Sequence, residues 1–515
     1  MAQYILTHLT PNPYLITVLL LLGCLVYKFN NESQVYEKFE YVRGGVFQRK
    51  EVHEIVHDGY HTISKRTKRP FVVNWWAKRY IIMPTHYLAD LKTADWGHLS
   101  FFTNISDALF LHTTVGDLYT SHKSERMVDI VKRDINPRLP QLAPIMKQEV
   151  DSALEKTLGE FTGWKEVNTM ALLSRVAHQT ATRVLIGEEL CNNESFIKLT
   201  TSFLESIFVT ALIIVKLPLG PFRGFLASPL SLVHKWKLYR CKKILLPIVK
   251  RRIAERKGHK GNPADVLDGI EWTLARVPEG SLVDTPETIT TELLHALWAG
   301  SSAPGGMMTE VIYQMLLGEE YQETMRTEAI EAFQKFGWGE KMINVLHCQD
   351  SFIREVNRLY PTGAITCSRT VVNRPFKFSD GLVLPVGARL GFPIKASQSD
   401  ADNFKDPDKF DGFRFLQQGT AEGGTVENKR VWSAASMDIN NLAWGYGNHI
   451  CPGRFFAVRE IKMVLTKLLL KYDIKWQNKN RVRPPPIHVE GQFIPNMKQT
   501  IFLKRRESVA VIDMI

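Results

Sequence analysis

The residues with the clearest chemical potential lie between Trp444 and Phe456, in the run Trp-Gly-Tyr-Gly-Asn-His-Ile-Cys-Pro-Gly-Arg-Phe-Phe. One cysteine, Cys451, stands among Gly445, Gly447 and Gly453, with His449 before it and Arg454 after it. A lone cysteine is ordinarily a small buried hydrophobe. Here the segment after it repeats apolar residues at helical spacing (Phe456, Val458, Ile461, Val464, Leu465, Leu468, Leu469). Cys451 therefore falls at a helix N-terminus, where free N–H groups favour a thiolate able to ligate a metal. Glycines carry no Cβ, so a flat ligand could pass close to this backbone.

The same run resembles the haem-binding loop of cytochromes P450, an aromatic-x-x-Gly-x-basic-x-Cys-x-Gly pattern. Trp444, Gly447, His449, Cys451 and Gly453 fill its five positions, with Trp in place of the usual Phe and His in place of the commoner Arg. Two further segments agree. Glu355 and Arg358, three apart on one helical face, would by themselves be a common surface pair; they match the family's Glu-x-x-Arg. The run Asp408 to Phe415 matches its aromatic-Arg segment. The resemblance implies that Arg414 completes a buried network with Glu355 and Arg358, and that Cys451 ligates the iron of haem b. It also implies that Arg369 and His449 reach the haem propionates. Gly363, Ala364, Ile365, Phe493 and Ile494 would line the substrate side, together with Pro361. The family's Trp-x-x-x-Arg pair is not found; His122, Lys123 and Arg126 are the nearby cations.

A long helix must face the cysteine. Thr285-Pro286-Glu287 combines a capping hydroxyl, a proline at the first helical position and an acid in the first turn. The pattern runs on to Leu317 and ends at Gly318. By resemblance this is the helix that crosses the distal side of the haem and carries Ala/Gly-Gly-x-acid-Thr-Thr, the acid and alcohol relaying protons. The matching residues are Ala299, Gly300, Ser301, Ser302, Ala303 and Pro304, so the acid has become a serine and the threonine an alanine. Pro304 cannot donate to the Gly300 carbonyl, and a kink is expected there. The freed carbonyl and the hydroxyl of Ser301 or Ser302 are the remaining candidates for proton delivery. His295, seven residues before Ser302, shares that face as a pocket-lining, packed or acid-base histidine.

The rest of the chain is read as support. A length of 515 residues with 44% hydrophobic content suffices for one large core. Six scattered cysteines without framework spacing suit a reducing compartment. The formal charge of +12 favours an acidic partner or an anionic membrane. Nucleic acid is disfavoured by the absence of zinc spacing or an RNA-binding signature. Tyr14 to Tyr27 carries no charge and, with the uncharged residues before it, reads as a retained signal anchor within 1–30. Lys28, Lys38, Arg43, Arg49 and Lys50 follow it, which puts the catalytic body in the cytosol. Asn31, Asn104 and Asn193 would then stay unglycosylated.

The expected architecture is a mostly α fold with small β-sheets: a single-pass endoplasmic reticulum anchor, a catalytic domain over 31–506 and a tail over 507–515. Thr67 to Pro84 reads as a hairpin of two short strands, Trp96 to Val115 as a loop over the pocket, and Lys250 to Lys260 as a solvated loop. Ile207 to Leu230, broken by Pro218, Pro221 and Pro229, resembles the roof of the active site and its membrane-dipping loop. The details look most like filamentous-fungal microsomal members that decorate terpenoids and other secondary metabolites. They imply a monomeric monooxygenase that takes O2, an apolar substrate and electrons from an NADPH-dependent reductase. The missing acid and threonine keep open an oxidative cyclisation, desaturation, dehydration or rearrangement.

Overall fold

The structure is a computed structural model that describes residues 35–44, 50–92, 94–95, 97–114, 123–217, 223–257, 266–278, 280–416, 433–477 and 481–506. The expected anchor at 1–30, the tail at 507–515, Asn31 and His122 lie outside the described residues. In chain order, the elements that position the site begin with the hairpin β1 (Phe71–Trp75) and β2 (Lys78–Ile82), then α1 (Phe101–Ala108) and α2 (Lys123–Ile130). Helices α3 (Leu139–Leu158), α4 (Thr169–Leu185), α5 (Glu194–Lys216), α6 (Arg223–Lys257), α7 (Pro286–Met315) and α8 (His347–Leu359) follow. Strands β3 (Ile365–Val371) and β4 (Arg389–Pro393), helix α9 (Arg454–Lys471), and the hairpin β5 (Ile487–Val489) and β6 (Gln492–Ile494) complete the set.

Helix α7 starts where its cap signals placed it: the Thr285 hydroxyl accepts the Thr288 N–H at 3.2 Å and Pro286 opens the first turn. It then runs for 30 residues, roughly 45 Å, and stays helical through Pro304. Small residues let α4 lie directly on it. A Cβ on Gly305 would come within 2.9 Å of the Ser174 backbone, and one on Gly300 would meet Leu185 at 3.2 Å. Helix α9 packs on the other side of this pair, with Ile461, Val464 and Leu465 against Leu173, Met308 and Val311 in one cluster.

A six-stranded sheet flanks the helices in the order Glu40–Tyr41, β1, β2, β4, β3, Leu99–Ser100. Phe71 pairs with Ile82 and Trp75 with Lys78 across the first hairpin. Its turn residues Trp76 and Ala77 have φ of 50° and 54°, the left-handed pair that a two-residue hairpin turn requires.

Three local readings change. The stretch Trp96 to Val115 carries helix α1, started by Ser100, whose hydroxyl accepts the Thr103 N–H at 3.0 Å; eight residues are too few for periodicity to disclose. Lys250 to Lys257 is the end of α6, held by acids of neighbouring segments, such as Glu287 on Lys250 at 2.9 Å and Asp268 on Arg252 at 2.9 Å. Pro229 lies inside α6 without ending it. Helix α5 is long and apolar enough to cross a membrane by length and composition, yet half of its most apolar window is buried inside the fold. Asn104 is wholly buried, with Tyr80 donating to its side-chain carbonyl at 2.9 Å and its amide donating to Ser368 at 2.9 Å. Its sequon is therefore closed to modification in the folded protein.

Glu460 on α9 is an exception to good packing. It is fully buried, and neither carboxyl oxygen has a hydrogen-bond partner among the described residues. Burial holds its pKa well above the ordinary value of 4.5, partly offset by the adjacent Thr180 hydroxyl. Because the folded state keeps a proton that the unfolded chain releases, stability is highest below about pH 4.5 and falls as pH rises toward the folded-state pKa. Glu460→Met should therefore raise stability at neutral pH by about 1–3 kcal/mol and flatten this dependence. Denaturant melts at pH 5 and pH 8 test it; equal loss at both would contradict a buried neutral acid.

Candidate functional site

The cysteine loop is built by hydrogen bonds from both flanks. The Cys451 N–H donates to the Trp444 carbonyl at 2.8 Å, and the Trp444 indole donates to Ala434 at 2.7 Å. Gly445 and Gly447 sit at φ of 82° and 71°. Gly447 is needed for a second reason, since a Cβ there would lie 2.7 Å from the Lys92 backbone. Its missing side chain thus admits a neighbouring segment, whereas a Cβ on Gly453 would meet nothing within 4 Å. Gly453 is the residue that leaves room beside the sulfur.

Cys451 keeps accessible surface, although burial is the main influence on its thiol and pushes its pKa up. The Gly453 and Arg454 N–H groups and the Arg454 charge act the other way and favour the thiolate. On α7, Ala299, Ser302 and Ala303 are exposed in the middle of a helix whose other residues are mostly buried. With Gly306 they share one helical face.

Ser301 is a correction. It is buried on the opposite face, and its hydroxyl donates to the Leu297 carbonyl at 2.7 Å. Gly300 turns toward α4, and Pro304 is buried. Among the described residues, Ser302 brings the one side-chain hydroxyl of the 299–304 segment to the open face. His295 is packed rather than open: Nδ1 bonds the Thr291 carbonyl at 2.7 Å, the ring meets Phe203 edge-on at 5.6 Å, and burial lowers its pKa to about 4.

The substrate-side residues form a strip. Gly363 pairs with Gln492, the Ala364 N–H donates to Gly491 at 2.7 Å, and the Phe493 N–H donates to Thr362 at 3.0 Å. Phe493 and Ile494 are half-buried, and Gly306 of α7 faces Pro495 just beyond them. Ile365 is a second correction, because its side chain fills the place of a Cβ at Gly391 of β4 and so turns into the sheet. The hairpin tip is tied to the roof by Lys216 on Glu490 at 2.8 Å and to β1 by the Trp75 indole on the Glu490 carbonyl at 2.7 Å.

Basic side chains gather around His449. Arg369 is buried, donates only to the Ser368 and His449 carbonyls at 2.7 and 3.4 Å, and has no carboxylate within 4 Å among the described residues. His449 is buried beside it with Nε2 at 3.1 Å from the Ala94 carbonyl, and burial and Arg369 lower its pKa to about 4. Lys132, in the turn after α2, is near enough to push in the same direction. No motif marks Lys132, and the candidate Arg126 is committed to Asp284 and Glu292. A buried guanidinium in this setting needs an anion, and two carboxylates on the rim of a planar macrocycle would supply it. A partly exposed cysteine at a helix N-terminus, an exposed stripe on α7 and a buried guanidinium without a carboxylate together fit a haem.

Behind the loop lies a closed ion network. Arg358 grips Glu355 at 2.7 and 2.8 Å, Arg414 reaches Glu355 at 3.1 Å, and both acid and Arg358 are fully buried. Arg358 also donates to Gln398 and Pro407 carbonyls at 2.7 Å. Gln398 in turn accepts the Leu442 N–H at 2.8 Å, two residues before Trp444.

Comparison with known proteins agrees with this geometry. Residues 120–502 match the family described as Cytochrome P450. Cytochrome P450 monooxygenase sirB of Leptosphaeria maculans is 34% identical over 449 residues, 87% of this chain and 85% of that protein. Cytochrome P450 monooxygenase sttB of Aspergillus terreus is 28% identical over 86% of this chain and 83% of its own length. The ent-kaurene oxidase of Gibberella intermedia is 28% identical over 73% and 70%. Among solved structures, retinoic acid-bound cyanobacterial CYP120A1 superposes with a TM-score of 0.62 at 19% identity, covering 87% of this chain and 94% of that one, which speaks for the fold alone.

Proposed function

The chain belongs to the cytochrome P450 family, and from that membership we propose that it is a haem-thiolate monooxygenase acting on an apolar fungal secondary metabolite, a terpenoid by preference. The observation that carries the reading is Cys451 keeping accessible surface in its glycine-bounded loop, beside the buried Arg369, which donates to carbonyls and has no carboxylate within 4 Å among the described residues. The substrate class rests on similarity to proteins such as ent-kaurene oxidase.

When bound, the haem supplies activation of O2, and its thiolate ligand favours cleavage of the O–O bond. The protein's residues hold, orient and protonate. Cys451 ligates the iron, with the Gly453 and Arg454 N–H groups keeping charge on its sulfur. Arg369, His449 and Lys132 hold the propionates. Phe493, Ile494, Gly363 and Ala364 line the substrate side, and α5 and α6 exclude water from above. Ser302 Oγ, with the Gly300 carbonyl that Pro304 leaves without its helical donor, positions the water that delivers protons. Electrons arrive from an NADPH-dependent reductase, and the chain is held at the endoplasmic reticulum by residues 1–30 as a monomer.

Ser302→Ala should lower the fraction of NADPH converted to product by roughly a hundredfold, the lower end for one acid-base group, while Ser301→Ala leaves it unchanged. Unchanged coupling in both variants would exclude a hydroxyl relay. The residues Ser302 and Ala303, where the family carries an acid and an alcohol, favour one second reading: a cyclisation, desaturation, dehydration or rearrangement in which little oxygen enters the product. Co-expression with a reductase, a reduced carbon monoxide difference spectrum and turnover under labelled dioxygen decide between them. Label in the product supports insertion, unlabelled product the second reading, and a spectrum without a thiolate-ligated band removes both.

A further inference from the structure

We infer that Arg483 is a positioning residue for the substrate site, the pin that holds α7, the strip from Pro361 to Ala364 and the β5–β6 hairpin at fixed distances from one another. Its guanidinium donates to the Glu310 carboxylate of α7 at 2.7 Å, and the central guanidinium carbon lies 3.9 Å from the ring centre of Tyr360, the residue before Pro361. Glu310 is buried and is the one carboxylate within 4 Å of Arg483 among the described residues. One side chain thus touches two of the three walls, and its own backbone carries the third. Only Pro484, Pro485 and Pro486 separate Arg483 from Ile487, the first residue of β5. Each proline ring fixes its φ, and a run of prolines is a semi-rigid extended spacer. A displacement at Arg483 is therefore passed to the hairpin instead of being absorbed by the chain.

The base of the hairpin returns to the same face of α7. Glu310 and Tyr313 continue the series Ala299, Ser302, Ala303 and Gly306 at helical spacing, so the exposed stripe of the helix runs into the two residues that hold the hairpin. The Tyr313 hydroxyl donates to the Asn496 carbonyl, just past β6, at 2.8 Å, and the Asn496 amide donates to the Pro485 carbonyl at 3.4 Å. Backbone bonds from Ala364 to Gly491 and from Phe493 to Thr362 set the hairpin against the strip. Arg483 and Tyr313 set that pair against α7. Attachment of the segment to the body of the fold is already served nearby, where Arg481 pairs with Glu319 and both side chains are largely in solvent. Arg483 differs in lying between the walls. Arginine suits this role, because its planar guanidinium can stack on Tyr360 while it donates to Glu310; a lysine would keep the charge and lose the stack.

The inference rests on the reading of these segments as the substrate walls of a haem enzyme, and the two can fail separately. The full-length haem protein is titrated with imidazole and with 4-phenylimidazole, and the Soret band reports ligation of the iron by either. Imidazole is too small to span the walls, whereas the phenyl ring of the second azole must fit between them. Wild type should bind 4-phenylimidazole more tightly. Arg483→Met should weaken 4-phenylimidazole roughly tenfold, a mid-range effect for a side chain coupled to its neighbours, and leave imidazole unchanged. Arg483→Lys should fall between, and Arg483→Met combined with Glu310→Gln should cost no more than Arg483→Met alone. Tyr313→Phe removes one hydroxyl and no charge, so it keeps the test available where Arg483→Met fails to fold; it should shift the same ratio in the same direction by a smaller factor. An unchanged ratio in these variants overturns the pin, and equal weakening of both azoles makes Arg483 a packing residue without a positioning role. Equal affinity of wild type for the two azoles would place these segments away from the haem and overturn the inference. A wild-type Soret band that responds to neither azole removes the haem reading and the inference with it.

Discussion

Glu355→Ala should yield a protein that loses its haem on purification and is destabilised by about 3–5 kcal/mol, because the substitution strands two buried guanidinium groups. The acid is fully buried, and it takes two hydrogen bonds from Arg358, one from Arg414 and one from the Asp411 N–H at 3.1 Å. Without it Arg358 still donates to the Gln398 and Pro407 carbonyls, and Arg414 to those of Lys405 and Lys409 at 2.6 and 2.9 Å, but their charge is uncompensated. The effect reaches the cysteine by a short route. Gln398 holds the Leu442 N–H, and the Leu442 carbonyl accepts the Gly445 N–H at 2.9 Å at the start of the loop. Glu355→Gln, which keeps the shape and one acceptor, should fall between wild type and Ala. Asp58→Asn provides the contrast: its partner Lys50 and the acid are both largely in solvent, so its loss should cost less than about 1 kcal/mol. Haem-to-protein ratio and denaturant midpoint read both variants. Full haem retention in Glu355→Ala would separate the network from the cofactor.

The contrast between these pairs also explains what the sequence could disclose. Glu355 and Arg358 are three apart on a helix, and their meeting is local geometry that spacing alone supports. Their burial is not local, and only resemblance to a family suggested it. The start of α7 was legible for the same reason as the pair, since Thr285, Pro286 and Glu287 act within one turn. The facing of Ser301 and Ser302 turns on a rotation of 100° per residue around an axis whose neighbours, Ser174 and Leu185, are more than a hundred residues away in sequence. Spacing could not say which serine meets the open space. The influence of Lys132 on His449 comes from the π-helical turn Val131–Ile135 that continues α2, and no local pattern marks a lysine that is near a histidine only in the fold. Cys451, by contrast, is surrounded by its own determinants: the glycines, the following helix and Arg454 all lie within a few residues.

Arg369→Met should act in opposite directions on the two forms of the protein, and that split is what a haem-edge role requires. Among the described residues Arg369 is a buried cation that donates to two carbonyls and to no carboxylate, and burial lowers its pKa. Its aliphatic portion is well packed, with the guanidinium 5.5 Å from the Phe101 ring centre, so a methionine of similar length should fill the space. Removing an uncompensated charge should raise the unfolding free energy of the haem-free protein, by an amount on the order of 1–4 kcal/mol. In the haem-bound chain the same residue supplies charge-assisted hydrogen bonds to a propionate, and one such bond contributes about 1.5–3 kcal/mol. The variant should therefore release haem to an acceptor protein about ten to a hundred times faster. Glu355→Ala destabilises both forms, so it cannot mimic this pattern. Destabilisation of both forms by Arg369→Met would make Arg369 a packing residue, and unchanged haem release would move the propionates to His449 and Lys132 alone.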